Sequence, residues 1–153
     1  MLRLAVWALS IGAIVSSCGA EESDASPAGA LARFLEAMDR STLHEGALKD
    51  AYALLDAQAQ RELGARAQRA TSLTGRSFEA WEMIASGRFR LRFTPSEHGE
   101  MRTTLKGESA LVEVRSEDGR SRASVPLVRE FGHWRVRLAL PELASVSARE
   151  VRD

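Results

Sequence analysis

Apolar positions along this chain repeat with two different periods, and the change falls near Gly87. On the N-terminal side the spacing is that of helices. Leu31, Phe34, Leu35 and Met38 stand at i, i+3, i+4 and i+7 behind Ser26-Pro27, a serine N-cap with proline at the first helical position. Leu48, Ala51, Tyr52 and Leu55 repeat that spacing behind Thr42-x-x-Glu45, which reads as a capping box for a second helix. Asp56 caps a third, alanine-rich helix carrying Ala59, Leu63, Ala67 and Ala70 and stopped by Gly75. Ser77 caps a short fourth one with Phe78, Trp81, Ile84 and Ala85, closed by Gly87.

From Arg88 the period becomes two. "RFRLRF" sets Phe89, Leu91 and Phe93 on one face and Arg88, Arg90 and Arg92 on the other. Pro95–Gly99 is a loop. Met101, Thr103 and Leu105 mark a second strand, and Ala110, Val112 and Val114 a third. The Asp118-Gly119 turn then leads into a fourth strand with Ala123, Val125 and Leu127. Gly132 turns the chain into a last strand with Trp134, Val136, Leu138 and Leu140. Helices followed by an antiparallel meander with one apolar face make an α+β fold: N-terminal helices packed on a mainly antiparallel, curved sheet of about four to five strands.

Ahead of this domain lies a segment of another kind. After Arg3, the twelve residues Leu4–Val15 (LAVWALSIGAIV) are uncharged and apolar. As a helix they would span roughly 18 Å, against a hydrocarbon core of about 30 Å, which suits a secretory h-region better than a membrane span. Val15-Ser16-Ser17-Cys18 closes the run with an aliphatic residue, two small residues and the chain's one cysteine. This resembles the lipobox of bacterial lipoproteins. The resemblance implies a signal peptide over 1–17, diacylglyceryl transfer to Cys18, cleavage before it and a lipid anchor in the membrane. With Gly19 rather than aspartate next, it implies the outer membrane, facing the periplasm. The alternatives are an ordinary signal peptide cut after Ala20 and an uncleaved anchor. Residues 18–26 then read as lipidated cysteine and tether, since Gly19–Ala25 carries Glu21, Glu22 and Asp24 and no large apolar residue. The domain covers 27–141, and 142–153 is a tail.

With 153 residues, 44% hydrophobic and 27% charged, the chain is long enough for one domain with a real core. One cysteine excludes an intramolecular disulfide and a thiol-rich zinc site. Basic and acidic residues both number 21, so overall charge names no partner. Its distribution is uneven: Gly19–Gly87 has 7 basic and 11 acidic residues, Ser86–Arg137 has 11 and 7. Alternation turns Arg88, Arg90, Arg92, Arg135 and Arg137 away from the apolar face. They are candidates for a docking face toward an anionic envelope component, such as lipid headgroup, lipopolysaccharide, peptidoglycan or an acidic protein. The alternative is a plain solvated face. Nucleic acid is not expected as a partner, because no aromatic–basic recognition motif is present.

"ALARFLEAMDR", "DAYALLDAQAQREL" and "VPLVREFGHWRVRL" together resemble the cystatin-like, NTF2-like superfamily, especially its small secreted lipoproteins. That resemblance implies a cone that holds a small molecule, with an Asp–His or Tyr–Asp pair inside in the enzymes of the group. His44, His98 and His133 fall at a helix start, loops or turns and read as surface or capping residues. No two of them show a metal-ligand spacing. Tyr52, Trp81 and Trp134 read first as core residues, and are the candidates for lining a pocket. The expectation is therefore a membrane-anchored envelope lipoprotein acting as a non-catalytic binding or interaction module, without cofactor. An accessory subunit of an envelope assembly comes second and a small-molecule enzyme third.

Overall fold

Ser26 accepts a hydrogen bond on its hydroxyl from the Gly29 amide at 3.1 Å and so opens helix α1, Pro27–Arg40. The computed structural model describes residues 24–84 and 101–141, with Leu91, Phe93 and Pro95. The apolar run, Cys18, most of the strand expected over 88–93, and residues 142–153 lie outside the described residues. Leu31, Phe34, Ala37 and Met38 form the buried stripe of α1. Burying each of its large side chains contributes about 1.5–3 kcal/mol.

The capping box expected at Thr42 and Glu45 does not form. Ser41 and Thr42 donate their hydroxyls to the carbonyls of Met38 and Asp39 and so finish α1. Helix α2 is short, Ala47–Ala53, and starts from Gly46 without a side-chain cap. Asp56 caps α3, Ala57–Thr74, with Oδ1 accepting from the Ala59 amide at 3.0 Å. Gly75 ends it in the left-handed conformation at φ 72°. The expected fourth helix, capped by Ser77, is a single 3₁₀ turn, Ala80–Met83. Thr71 Oγ1 takes the Phe78 amide, tying this stretch to the last turn of α3. The Glu79 amide then donates to Glu82 Oε2, closing one turn around a carboxylate.

Four strands follow as an antiparallel meander in chain order: β1 (Arg102–Lys106), β2 (Ser109–Arg115), β3 (Arg122–Glu130) and β4 (His133–Val136). The α+β architecture of helices on a curved, unclosed antiparallel sheet is that expected. Pairing sets Ala110 opposite Leu127, Val112 opposite Val125, and Leu127 opposite Val136. Their inward face meets α1 in one core with Leu31, Phe34, Met38, Trp134 and Ile84. Leu91 and Phe93 pack against that core, half-buried.

Two departures have clear causes. β1 pairs with β2 along its length, yet all five of its residues are exposed, Thr103 and Leu105 included. The reason is that α1 lies mainly over β2 and β4. The last strand was expected to reach Leu140 but ends at Val136. Arg137 donates its amide to the Pro126 carbonyl at 2.9 Å, and proline has no N–H to return the bond, so the ladder stops there.

The outer edge of β4 is covered by the chain itself. Trp134 donates its amide to the Asp24 carbonyl (3.1 Å) and Val136 donates to the Leu54 carbonyl (2.8 Å). Asp56 donates back to the Val136 carbonyl at 3.0 Å. An edge paired in this way offers no template for another strand.

Candidate functional site

Because β2 and β3 are joined by the six-residue turn 116–121, Arg115 stands directly opposite Arg122, and Arg102 opposite Glu113. All four side chains belong to the outward face of the sheet. Arg115 donates from Nε to Glu113 Oε1 at 2.9 Å. That bond, with the fields of Arg122 and Arg102, holds the Glu113 carboxyl below its ordinary value. Three guanidinium groups thus share one carboxylate. Like charges directly opposite across strands oppose pairing, so this cluster does not serve the sheet's own stability. The turn beside it is closed by Ser116, whose hydroxyl accepts from the Ser121 amide and donates to Asp118. That Ser116 bond and the Arg120 amide hold the Asp118 carboxyl low.

The arginines expected to form a docking face divide differently. Arg88, Arg90 and Arg92 lie outside the described residues. Arg135 and Arg137 face outward as expected but are paired within the chain. Arg137 Nε lies 3.4 Å from Oδ2 of Asp56, a carboxylate only 2% exposed. Arg135 lies 3.4 Å from Asp24. Asp24 also meets His133 Nδ1 at 3.3 Å and Arg33 at 3.8 Å, with its side chain 14% exposed. Partial burial pushes the Asp24 carboxyl up, but His133 and Arg135 together outweigh it and hold it below the ordinary value. Asp24, expected in the tether, is thereby fixed to β4.

Trp134 is 6% exposed and part of the core. Tyr52 is half-buried, its hydroxyl donating to the Gln60 carbonyl (3.4 Å) while Gln60 Nε2 donates to the Tyr52 carbonyl (3.0 Å). Together they brace the turn between α2 and α3. Trp81 is half-buried and carries Lys49 Nζ 5.1 Å from its ring centroid. None of the three lines either of two clefts in the domain. The larger, about 420 Å³, lies between α1, α2 and β4 and alternates Arg33, Arg40 and Arg135 with Asp24, Glu36 and Asp50. The smaller, about 370 Å³, adjoins the 116–121 turn and is lined by Phe93, Ser116, Glu117, Asp118 and Ser121.

Among the described residues no group of three or more His, Cys, Asp or Glu is placed to hold a metal ion, and no helix is long and apolar enough to cross a membrane. His44 is exposed at the α1–α2 turn, His133 begins β4, and His98 lies outside the described residues. No protein-family model matches the chain, and no curated protein and no solved structure is significantly similar to it.

The outward Arg102–Arg115–Arg122 group was missed in the sequence. Its signal was present: the Asp118-Gly119 turn, with Gly119 at φ 68°, sets the register that brings Arg115 and Arg122 face to face.

Proposed function

We propose that this chain is an exported lipoprotein of the bacterial envelope, held in the outer membrane by acyl chains on Cys18, whose NTF2-like domain acts by contact and without turnover. Val15-Ser16-Ser17-Cys18 behind a twelve-residue apolar run supports the anchor. One acyl chain binds a membrane only marginally, and two or three hold a domain stably. What carries the contact reading is the group of Arg102, Arg115 and Arg122 around the single carboxylate of Glu113. It offers net positive charge at the end of the sheet remote from Asp24, and its partner in this reading is an anionic envelope component. Arg135 and Arg137 contribute less, because Asp24 and Asp56 already neutralise them.

The accessory-subunit reading has its own support. A cone that binds a small molecule needs a polar, open interior, whereas here Leu31, Phe34, Met38 and Trp134 fill the inward side of the sheet. Contact would then be with protein. Co-sedimentation with purified peptidoglycan and with lipopolysaccharide, at low and high salt, tests the anionic partner. Retention that falls as salt rises, and is lost in the Arg115→Glu/Arg122→Glu double variant, supports it. Retention identical in both proteins refutes it and leaves the accessory reading in front.

A further inference from the structure

The turn between β3 and β4 consists of two residues, Phe131 and Gly132, flanked by the pair Glu130–His133. Both have positive φ, 51° and 87°, as the commonest right-twisted hairpin turn requires. That turn favours Asn-Gly. Phenylalanine is a poor choice for its first position, because a Cβ-bearing aromatic in the left-handed region is strained. The side chain gains nothing in return from packing, since Phe131 is 98% exposed. A residue that neither suits its backbone nor enters the core calls for a contact outside the chain.

The location of the tip supplies one. His133, two residues on, lies 3.3 Å from Asp24, and Trp134 donates to the Asp24 carbonyl. Asp24 is where the N-terminal segment joins the domain. Only residues 19–23 separate it from Cys18, so no conformation can set the two α-carbons more than about 20–22 Å apart. Resting on the lipid-anchor reading above, we propose that the Phe131–Gly132 tip is a wedge that enters the bilayer interface beside the anchor, the phenyl ring at the boundary of headgroups and acyl chains.

The surroundings fit an apolar contact with a polar collar. Arg129 donates from Nε to the Gly132 carbonyl at 3.4 Å and is exposed beneath the tip. Arg129, Arg135 and Lys106 at this end are offset by Glu108, Glu130 and Asp24, so no anionic lipid is needed. The long arginine stems let their heads reach phosphate while the ring goes deeper. The turn at the other end of β3 is about 27 Å away for a strand of nine residues, and is polar throughout.

The test places tryptophan at each end of the lipidated mature protein, Phe131→Trp and Arg120→Trp, in phosphatidylcholine vesicles with and without bromine on the acyl chains. Wild type supplies the background from Trp81 and Trp134, and intact mass confirms the acyl groups. For Phe131→Trp the added emission should be blue-shifted and fall roughly two-fold with brominated lipid, as for a ring buried ~5–10 Å in the interface, while that of Arg120→Trp stays unchanged. A blue shift without quenching would mean that protein, a second copy included, covers the tip. Red, unquenched emission would mean that water does. Either overturns the wedge and leaves the anchor standing. Protein that carries no acyl groups and stays out of the vesicles overturns both.

Discussion

At one end of the sheet the turn Ser116–Ser121 uses its own side chains to satisfy its backbone. Ser116 and Asp118 take the amides of Ser121 and Arg120, and Gly119 supplies the one left-handed residue. At the other end the Phe131–Gly132 turn places an aromatic in a left-handed conformation and leaves it in solvent. The charge is arranged differently too: Arg102, Arg115 and Arg122 gather around Glu113 on the outward face at the first end, beside Glu117, Asp118 and Arg120 of the turn, and cations and anions are interleaved at the second. The difference teaches a division of labour along one sheet. In the proposals above, the end near Asp24 lies against lipid and the remote end presents charge.

The largest expected effect tests the shared core under that division. Trp134→Ala removes a buried side chain packed with α1 and should cost about 3–5 kcal/mol by chemical denaturation. A loss below about 1 kcal/mol would mean that Trp134 is not part of the core.

Next is the latch that fixes the end of the sheet near Asp24. Asp24→Asn gives up the charge that faces Arg33, His133 and Arg135, and should cost about 1 kcal/mol at neutral pH, since Arg33 and His133 are half-exposed and screened. The carboxyl's value is lower folded than unfolded. Its stabilisation is therefore complete above the ordinary aspartate value, about pH 4, and disappears as pH falls through the lower folded value. Thermal midpoints of wild type and Asp24→Asn should converge below about pH 4 and stay apart above it. Parallel curves would exclude the latch.

Smaller still are the two turn ends themselves. Arg122→Glu removes a like-charge opposition with Arg115 and should leave stability within about 0.5 kcal/mol of wild type, or slightly above it, while binding to anionic envelope material falls. Phe131→Asn restores the favoured turn pair and should raise stability by a few tenths of a kcal/mol, roughly, while loosening the tip from the bilayer. A drop in melting temperature for Phe131→Asn would show that the phenylalanine serves the fold.

Where a feature depended on a few neighbouring residues, it was legible in the chain. Ser26, Asp56 and Gly75 begin and end helices because capping is decided within a turn. Thr42 and Glu45 mislead for the same reason: a hydroxyl just after one helix and before another finds the spent carbonyls of α1 first. The end of β4 is set by Pro126 on the neighbouring strand, which no local pattern in residues 133–140 contains. Alternation turned Arg135 and Arg137 outward correctly, but their partners Asp24 and Asp56 lie 111 and 81 positions away. Asp24 looks like tether in the sequence because, Arg33 apart, what fixes it comes from the opposite end of the chain.

The account depends most on Cys18, and intact mass of the protein extracted from membranes tests it most directly. The mature chain should begin at Cys18 and carry acyl groups on that residue, and Cys18→Ser should remain an unlipidated precursor. A soluble mature chain that begins at Glu21, with Cys18 lost in the cleaved peptide, would contradict it.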